Sequence, residues 1–147
     1  MNELKIRDCE DLEVMKALIR EYSQIKGAEI CFVSMESELA DLKAHYQGGA
    51  ILLGYVDGEA VASIALRKED EQNCEVKRLY IKPAYRGRGY AHILMDAVTQ
   101  RARALGFREM FLSTIPAVMP VAYGMYQRMG FEVVEVDEDV VTMQIAL

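Results

Sequence analysis

The sequence predicts a single-domain mixed α/β fold, a mostly antiparallel sheet with helices on both faces, and three observations carry that prediction. Apolar residues recur at helical spacing in four segments. Seven short runs rich in β-branched and aliphatic residues are bounded by turn residues. At 147 residues, with no repeat, linker or low-complexity tract, the chain is the length that buries one core, so residues 1–147 are read as one domain.

Lys5 to Arg7 opens the order as a short strand. Leu12, Met15, Leu18, Ile19 and Tyr22 then mark a first helix, with Asp8 or Asp11 available as its cap. Ser34 precedes Met35, Leu39, Leu42 and Tyr46 at steps of four, three and four, which predicts one second helix stopped by Gly48-Gly49. Ala50–Val56 and Ala60–Leu66 flank Asp57-Gly58, a strong hairpin signal. From Cys74 to Ile81 the apolar alternation changes phase between Val76 and Leu79, as an inserted residue, a β-bulge, would cause. Ile93 to Leu105 forms an apolar stripe ended by Gly106, and Met110–Ser113 reads as a buried strand. Val118, Ala122, Met125 and Met129 mark the last helix, followed by strands Phe131–Val136 and Val140–Ala146.

Composition excludes several classes. Apolar residues make up 52% and charged residues 27%, which rules out disorder and collagen. No run approaches the ~18 to 20 apolar residues of a membrane span, and the start lacks the pattern of a signal peptide, so a cytoplasmic protein without a membrane partner is expected. Cys9, Cys31 and Cys74 are widely spaced with no C-x-x-C pair, which argues against a metal or disulfide framework and reads as small apolar residues. The nine methionines read chiefly as core filling, with an adaptable acceptor pocket as the alternative. The net charge of −6 argues against a nucleic-acid partner. Charge is unevenly spread, however: Cys74 to Arg108 is net +6 and the remainder −12, a basic island that suggests one local anion site. His92, in the first turn of a helix, reads as solvent-facing. His45, near a helix end, is expected to gain from the dipole when charged.

The motif with chemical content is Arg86-Gly87-Arg88-Gly89-Tyr90-Ala91, placed where a strand becomes a helix. Two glycines there let the backbone turn tightly, and the helix start adds unpaired N–H donors and a partial positive charge. Such a turn binds phosphate. It is neither a P-loop nor the dinucleotide fingerprint, whose spacings are absent.

These residues resemble the GCN5-related N-acetyltransferase family. Its acetyl-CoA motif R/Q-x-x-G-x-G/A is matched by Arg86, Gly89 and Ala91 after a strand closed by Pro83, and a second element by Ala122, Met125, Tyr126, Gly130 and Phe131. The resemblance implies that backbone N–H groups from Arg86 to Ala91 hold the CoA pyrophosphate, and that the strand edge Leu79, Tyr80, Ile81 pairs with the pantetheine arm. It implies a bulge that splays the central strand from its neighbour. It also implies a backbone N–H near Leu79 to Ile81 as oxyanion donor.

An alkylamine is almost wholly protonated at neutral pH, so a base is needed; the family pattern puts a carboxylate at Glu75, and the bland reading makes Glu75 a strand-surface acid paired with Lys77. Tyr126 matches the phenol that protonates the departing thiolate, its plainer reading being a core tyrosine beside Phe131. Where relatives often have an asparagine, this chain has Met119. The expected activity is acetyl transfer from acetyl-CoA to a primary amine by direct attack, without metal. A non-catalytic acyl-CoA-binding or sensing module is the rival, and a homodimer is an expectation at family level only.

Overall fold

A computed structural model describes residues 2–147. Its one sheet has seven strands in the order β1-β2-β3-β4-β5-β7-β6. The strands are β1 (Lys5–Asp8), β2 (Ala50–Val56), β3 (Glu59–Lys68), β4 (Asn73–Ile81), β5 (Glu109–Thr114), β6 (Glu132–Asp137) and β7 (Val140–Ala146). All neighbours run antiparallel except β4 and β5. Helices α1 (Leu12–Tyr22), α2 (Met35–Ala40) and α3 (Leu42–His45) come before β2; α4 (Tyr90–Ala104) links β4 to β5, and α5 (Pro120–Met129) follows β5.

Two apolar clusters sandwich the sheet. One gathers Leu94, Met95 and Val98 of α4 with Met125 and Tyr126 of α5 over Cys74, Val76 and Met110. The other gathers Met15, Leu18 and Ile19 of α1 with Leu39, Leu42 and Tyr46 over Leu53, Ala65 and Tyr80. Both faces are covered, which explains the unbroken aliphatic runs in β2 and β3. Met15, Met95, Met110 and Met143 are fully buried, as core-filling methionines are.

Local chemistry sets the boundaries. Asp11 caps α1, its carboxylate accepting from the Glu13 N–H at 3.0 Å. Asp57 and Gly58 both have positive φ, 50° and 83°, the conformation a two-residue hairpin turn requires.

Two readings are corrected. The expected second helix is broken at Asp41 (φ −154°, ψ 79°), whose side chain leaves the helical path to accept from the Ala44 N–H at 3.1 Å and start α3. A mid-helix aspartate competes with the backbone in this way, and here the competition wins. A short 3-10 turn, Glu29–Phe32, which the pattern did not reveal, precedes α2. Val118, expected to open the last helix, lies in the turn before it, packed so closely on Gly27 that a Cβ there would meet it at 2.8 Å.

The phase change in β4 is a bulge. Ser63 pairs with Tyr80 and Ala65 with Lys77, so two steps on β3 span three on β4. Arg78 holds the extra position at φ 60°. Cys74 and Val76 before it and Leu79 and Ile81 after it therefore all point to the α4 face.

Candidate active site

The bulge has a consequence for the parallel pair. β4 and β5 share only three rungs, Asn73–Glu109, Cys74–Met110 and Glu75–Phe111, and beyond Glu75 the strands part. Tyr80 and Ile81 remain paired with Ser63 and Ala62 of β3, but the other edge of Leu79 to Ile81 faces a slot that β5 does not fill. An open strand edge in the middle of a sheet offers alternating N–H and C=O groups to an extended ligand. One of those carbonyls, Ile81, accepts from Arg86 Nε at 2.8 Å.

At the slot's outer end β4 runs into the glycine turn. Gly87 (φ 78°) and Gly89 (φ 81°) are both left-handed, and a Cβ on either would meet nothing within 4 Å, so the turn lies open to a ligand. Gly89 is the N-cap of α4 and supplies no side-chain cap. Among the described residues the first N–H of this region to find a carbonyl is that of Ile93, bonded to Gly89 at 3.3 Å; the amides from Gly87 to His92 are unpartnered donors. Arg86 and Arg88 flank them, and neither is bound to a carboxylate. Arg86 lies over the Tyr80 ring at 5.6 Å, while Arg88 lies over Tyr85 at 5.2 Å and donates to the Ala84 carbonyl. Of the basic island, Arg101 is paired with Asp8 and Arg78 with Glu38, while Lys82 approaches Glu21 at 3.8 Å, so Arg86 and Arg88 are the members left without a carboxylate at this turn, as Arg103 and Arg108 are at the far end of α4. A pyrophosphate fits donors, charge and space alike.

Tyr90 and Ala91 complete the turn in different ways. Tyr90 is buried beneath it, its hydroxyl donating to the Asn2 carbonyl at 2.7 Å, and Ala91 packs on the same cluster. Their side chains anchor the helix start, and their N–H groups are left without a protein acceptor. His92 is exposed and beside Asp96 at 3.2 Å.

Tyr126 lies on α5, 7% exposed, in the same cluster as Leu79, Ile81 and Tyr90, with its ring edge-on to Phe131 at 5.8 Å. Burial first, and the neighbouring Tyr22 phenol second, push its hydroxyl well above the usual tyrosine value. The Tyr126 hydroxyl thus stays protonated and holds its proton more tightly than a free tyrosine does.

Glu75 sits at the last shared rung, where the strands begin to part, and strand alternation turns its side chain to the face opposite Cys74 and Val76. Its Oε1 accepts from Arg67 Nε at 2.8 Å, so its ion partner is Arg67 rather than the expected Lys77. Lys77 approaches Glu38 instead, at 3.9 Å. The slot thus has a phenol on one face and a carboxylate on the other.

Sequence reasoning did not find Tyr22, Glu38 or Arg78. Tyr22 spans the slot's mouth: it stacks on Tyr80 of β4 at 5.3 Å, meets Phe32 edge-on at 5.0 Å, and donates to the Met119 sulfur at 3.5 Å. Met119, the residue in the asparagine position, is the N-cap of α5 and so joins the helix carrying Tyr126 to α1. Burial raises the Tyr22 phenol to about 12. The only signal for Glu38 was its place beside Leu39 on a helix flank. His45 is half-buried with Nε2 unpartnered, and burial lowers its pKa, which works against the charged form that the helix end would favour. Cys31 and Cys9 are half-buried and Cys74 is buried, burial raising all three thiols, that of Cys74 to about 12.

A sheet that parts at its centre beside a helix start with unpartnered amides is an arrangement suited to the phosphate and the extended arm of an acyl carrier. The acetyltransferase (GNAT) family model matches residues 13–131, and the chain belongs to that family. It is 30% identical over 130 residues to an uncharacterized N-acetyltransferase of Schizosaccharomyces pombe, covering 86% of this chain and 79% of that one. Among solved structures it resembles an acetyltransferase of Streptococcus agalactiae (TM-score 0.82, 22% identity, 98% of both chains). It also resembles an acetyltransferase of Salmonella typhimurium solved with acetyl-CoA (TM-score 0.78, 20% identity, 98% and 94%). No helix among the described residues is long and apolar enough to cross a membrane.

Proposed function

We propose that this acetyltransferase moves the acetyl group of acetyl-CoA to a primary amine by direct attack in a ternary complex. The observation that carries the reading is the row of unpartnered amides from Gly87 to His92, continuous with the open edge at Leu79, Tyr80 and Ile81. The amides would hold the diphosphate of the coenzyme, with Arg86 and Arg88 adding charge, and the strand edge would pair with the pantetheine arm. Bound in this way, acetyl-CoA supplies an activated thioester carbonyl to the slot.

The amine approaches from the α1 and α2 face, on which the Glu75 side chain lies. Arg67 occupies Oε1 of Glu75, which leaves Oε2 to take a proton from the ammonium group, directly or through a water. The neutral amine then attacks the carbonyl carbon, and an N–H near Leu79 to Ile81 stabilises the oxyanion. As the carbon–sulfur bond breaks, Tyr126 donates its proton to the thiolate, the nitrogen, cationic after attack, releases its remaining extra proton to water, and Glu75 and Tyr126 return to their starting states by proton exchange with solvent.

Incubating the purified protein with acetyl-CoA and a library of primary amines, and measuring free thiol, tests this reading. Amine-dependent thiol release with a matching acetylated product is expected. Saturable coenzyme binding with no turnover on any amine would replace it with a binding module.

A further inference from the structure

We propose that Glu38 and Arg78 are positioning residues that tie the amine-side segment, residues 29–41, to the bulge of β4, so that engaging the coenzyme at the strand edge also orders the amine site. The inference rests on the proposed coenzyme position.

Arg78 is a strand residue with a left-handed backbone, a conformation that strains any residue with a Cβ. Something must hold it there, and two sets of contacts do. On the backbone side, the buried Ser63 hydroxyl donates to the Arg78 carbonyl at 2.8 Å and fixes the bulge to β3. On the side-chain side, Nε and Nη2 fork onto the two oxygens of Glu38 at 3.0 and 2.5 Å, Nη1 donates to the Cys31 carbonyl at 3.1 Å, and the guanidinium lies over the Phe32 ring at 4.4 Å. Glu38, 1% exposed, also accepts from the Tyr46 hydroxyl at 2.6 Å.

A single residue therefore touches β3, the 3-10 turn at Glu29–Phe32 and α2 at once, immediately before the edge at Leu79. The chain of contacts continues from Phe32 to Tyr22 and from Tyr22 to Met119 at the start of α5. The elements that would face the amine are thus joined through Arg78. A buried fork of this geometry has one arrangement, unlike a surface pair, and so transmits a change in order from one element to the other. Apart from the fork, the segment is held by Leu39, with Phe32 and Met35 packed on the same cluster; the 3-10 turn has no fully buried residue, and α2 runs for six residues.

Hydrogen–deuterium exchange with and without coenzyme A tests the tie. In the natural protein, coenzyme A should slow exchange in peptides covering 79–81 and also in those covering 29–41, the latter by about fivefold or more. The comparison variant is Arg78→Gly with Glu38→Gln. Glycine keeps the left-handed φ without strain, and glutamine leaves no unpaired buried charge. In it, 79–81 should still be protected while 29–41 loses the effect, with calorimetric affinity for coenzyme A within about twofold. Should that variant not fold, Arg78→Lys decides, since it keeps the charge but not the fork, and should show a reduced response at 29–41. Protection of 79–81 alone in the natural protein, or equal protection of both segments in the variants, would overturn the inference and leave the coenzyme position standing. No protection of 79–81 in the natural protein would overturn the coenzyme position itself, and the tie with it.

Discussion

Arg78 and the pair Gly87 and Gly89 lie within a dozen residues of one another, share the same left-handed backbone, and solve it in opposite ways. At the turn no side chain is present, the amides are unpartnered, and the space a Cβ would take is empty. At the bulge a long side chain is present, buried to 6% exposure, with its donors occupied by Glu38 and Cys31. The difference follows from what each bend faces. A bend whose partner is a ligand must leave its donors free, and glycine does so without strain. A bend whose partner is the protein itself can carry a non-glycine residue if buried contacts outweigh the strain.

The contrast can be broken in order of expected effect. Gly89→Glu puts bulk and negative charge on the open turn and should weaken coenzyme A binding by more than about a hundredfold by calorimetry, while circular dichroism stays unchanged. Tyr126→Phe should lower turnover by about a hundredfold with acetyl-CoA affinity within about twofold, the split expected when only a transition-state proton donor is lost. Glu75→Gln should lower turnover by about tenfold or more with acetyl-CoA affinity within about twofold; unchanged turnover would return Glu75 to a purely structural pairing with Arg67.

At the bulge the effects should appear as stability. Glu38→Ala leaves Arg78 buried without a counter-charge and should cost about 3 to 5 kcal/mol in urea unfolding, whereas Glu38→Gln with Arg78→Gly should cost less. Burial opposes the charged form of Glu38, but the hydrogen bonds from Arg78 and Tyr46 outweigh it and hold its carboxyl below the ordinary glutamate value. Its contribution is therefore complete above about pH 4.3 and is lost as pH falls through the lower folded value, so stability should decline with acid more steeply in the natural protein than in the double variant. The smallest effect is expected from His92→Ala: that side chain points to solvent, and coenzyme affinity should stay within about twofold although its amide belongs to the turn.

The parts of the molecule that the chain announced in advance are those whose causes are local. Asp57-Gly58 demands a tight hairpin, Gly89 begins a helix where the chain must bend, and the three-residue step from Val76 to Leu79 is what a bulge produces. What stayed hidden depends on partners far apart in sequence. Glu38 reads as one more helix acid until Arg78, forty residues on, is folded against it. Tyr22 reads as a core tyrosine until Met119 arrives from the start of α5. The break at Asp41 was hidden for another reason: apolar spacing continues across it, and only the competition of its carboxylate for the Ala44 N–H stops the helix.

Amide chemical shifts during titration with coenzyme A test the central claim most directly. If main-chain donors at the start of α4 hold the diphosphate, the N–H resonances of Gly87, Gly89 and Ala91 should move downfield and saturate together with those of Leu79 and Ile81 on the slot's edge. Saturable binding that leaves the Gly87, Gly89 and Ala91 amides unmoved would contradict it.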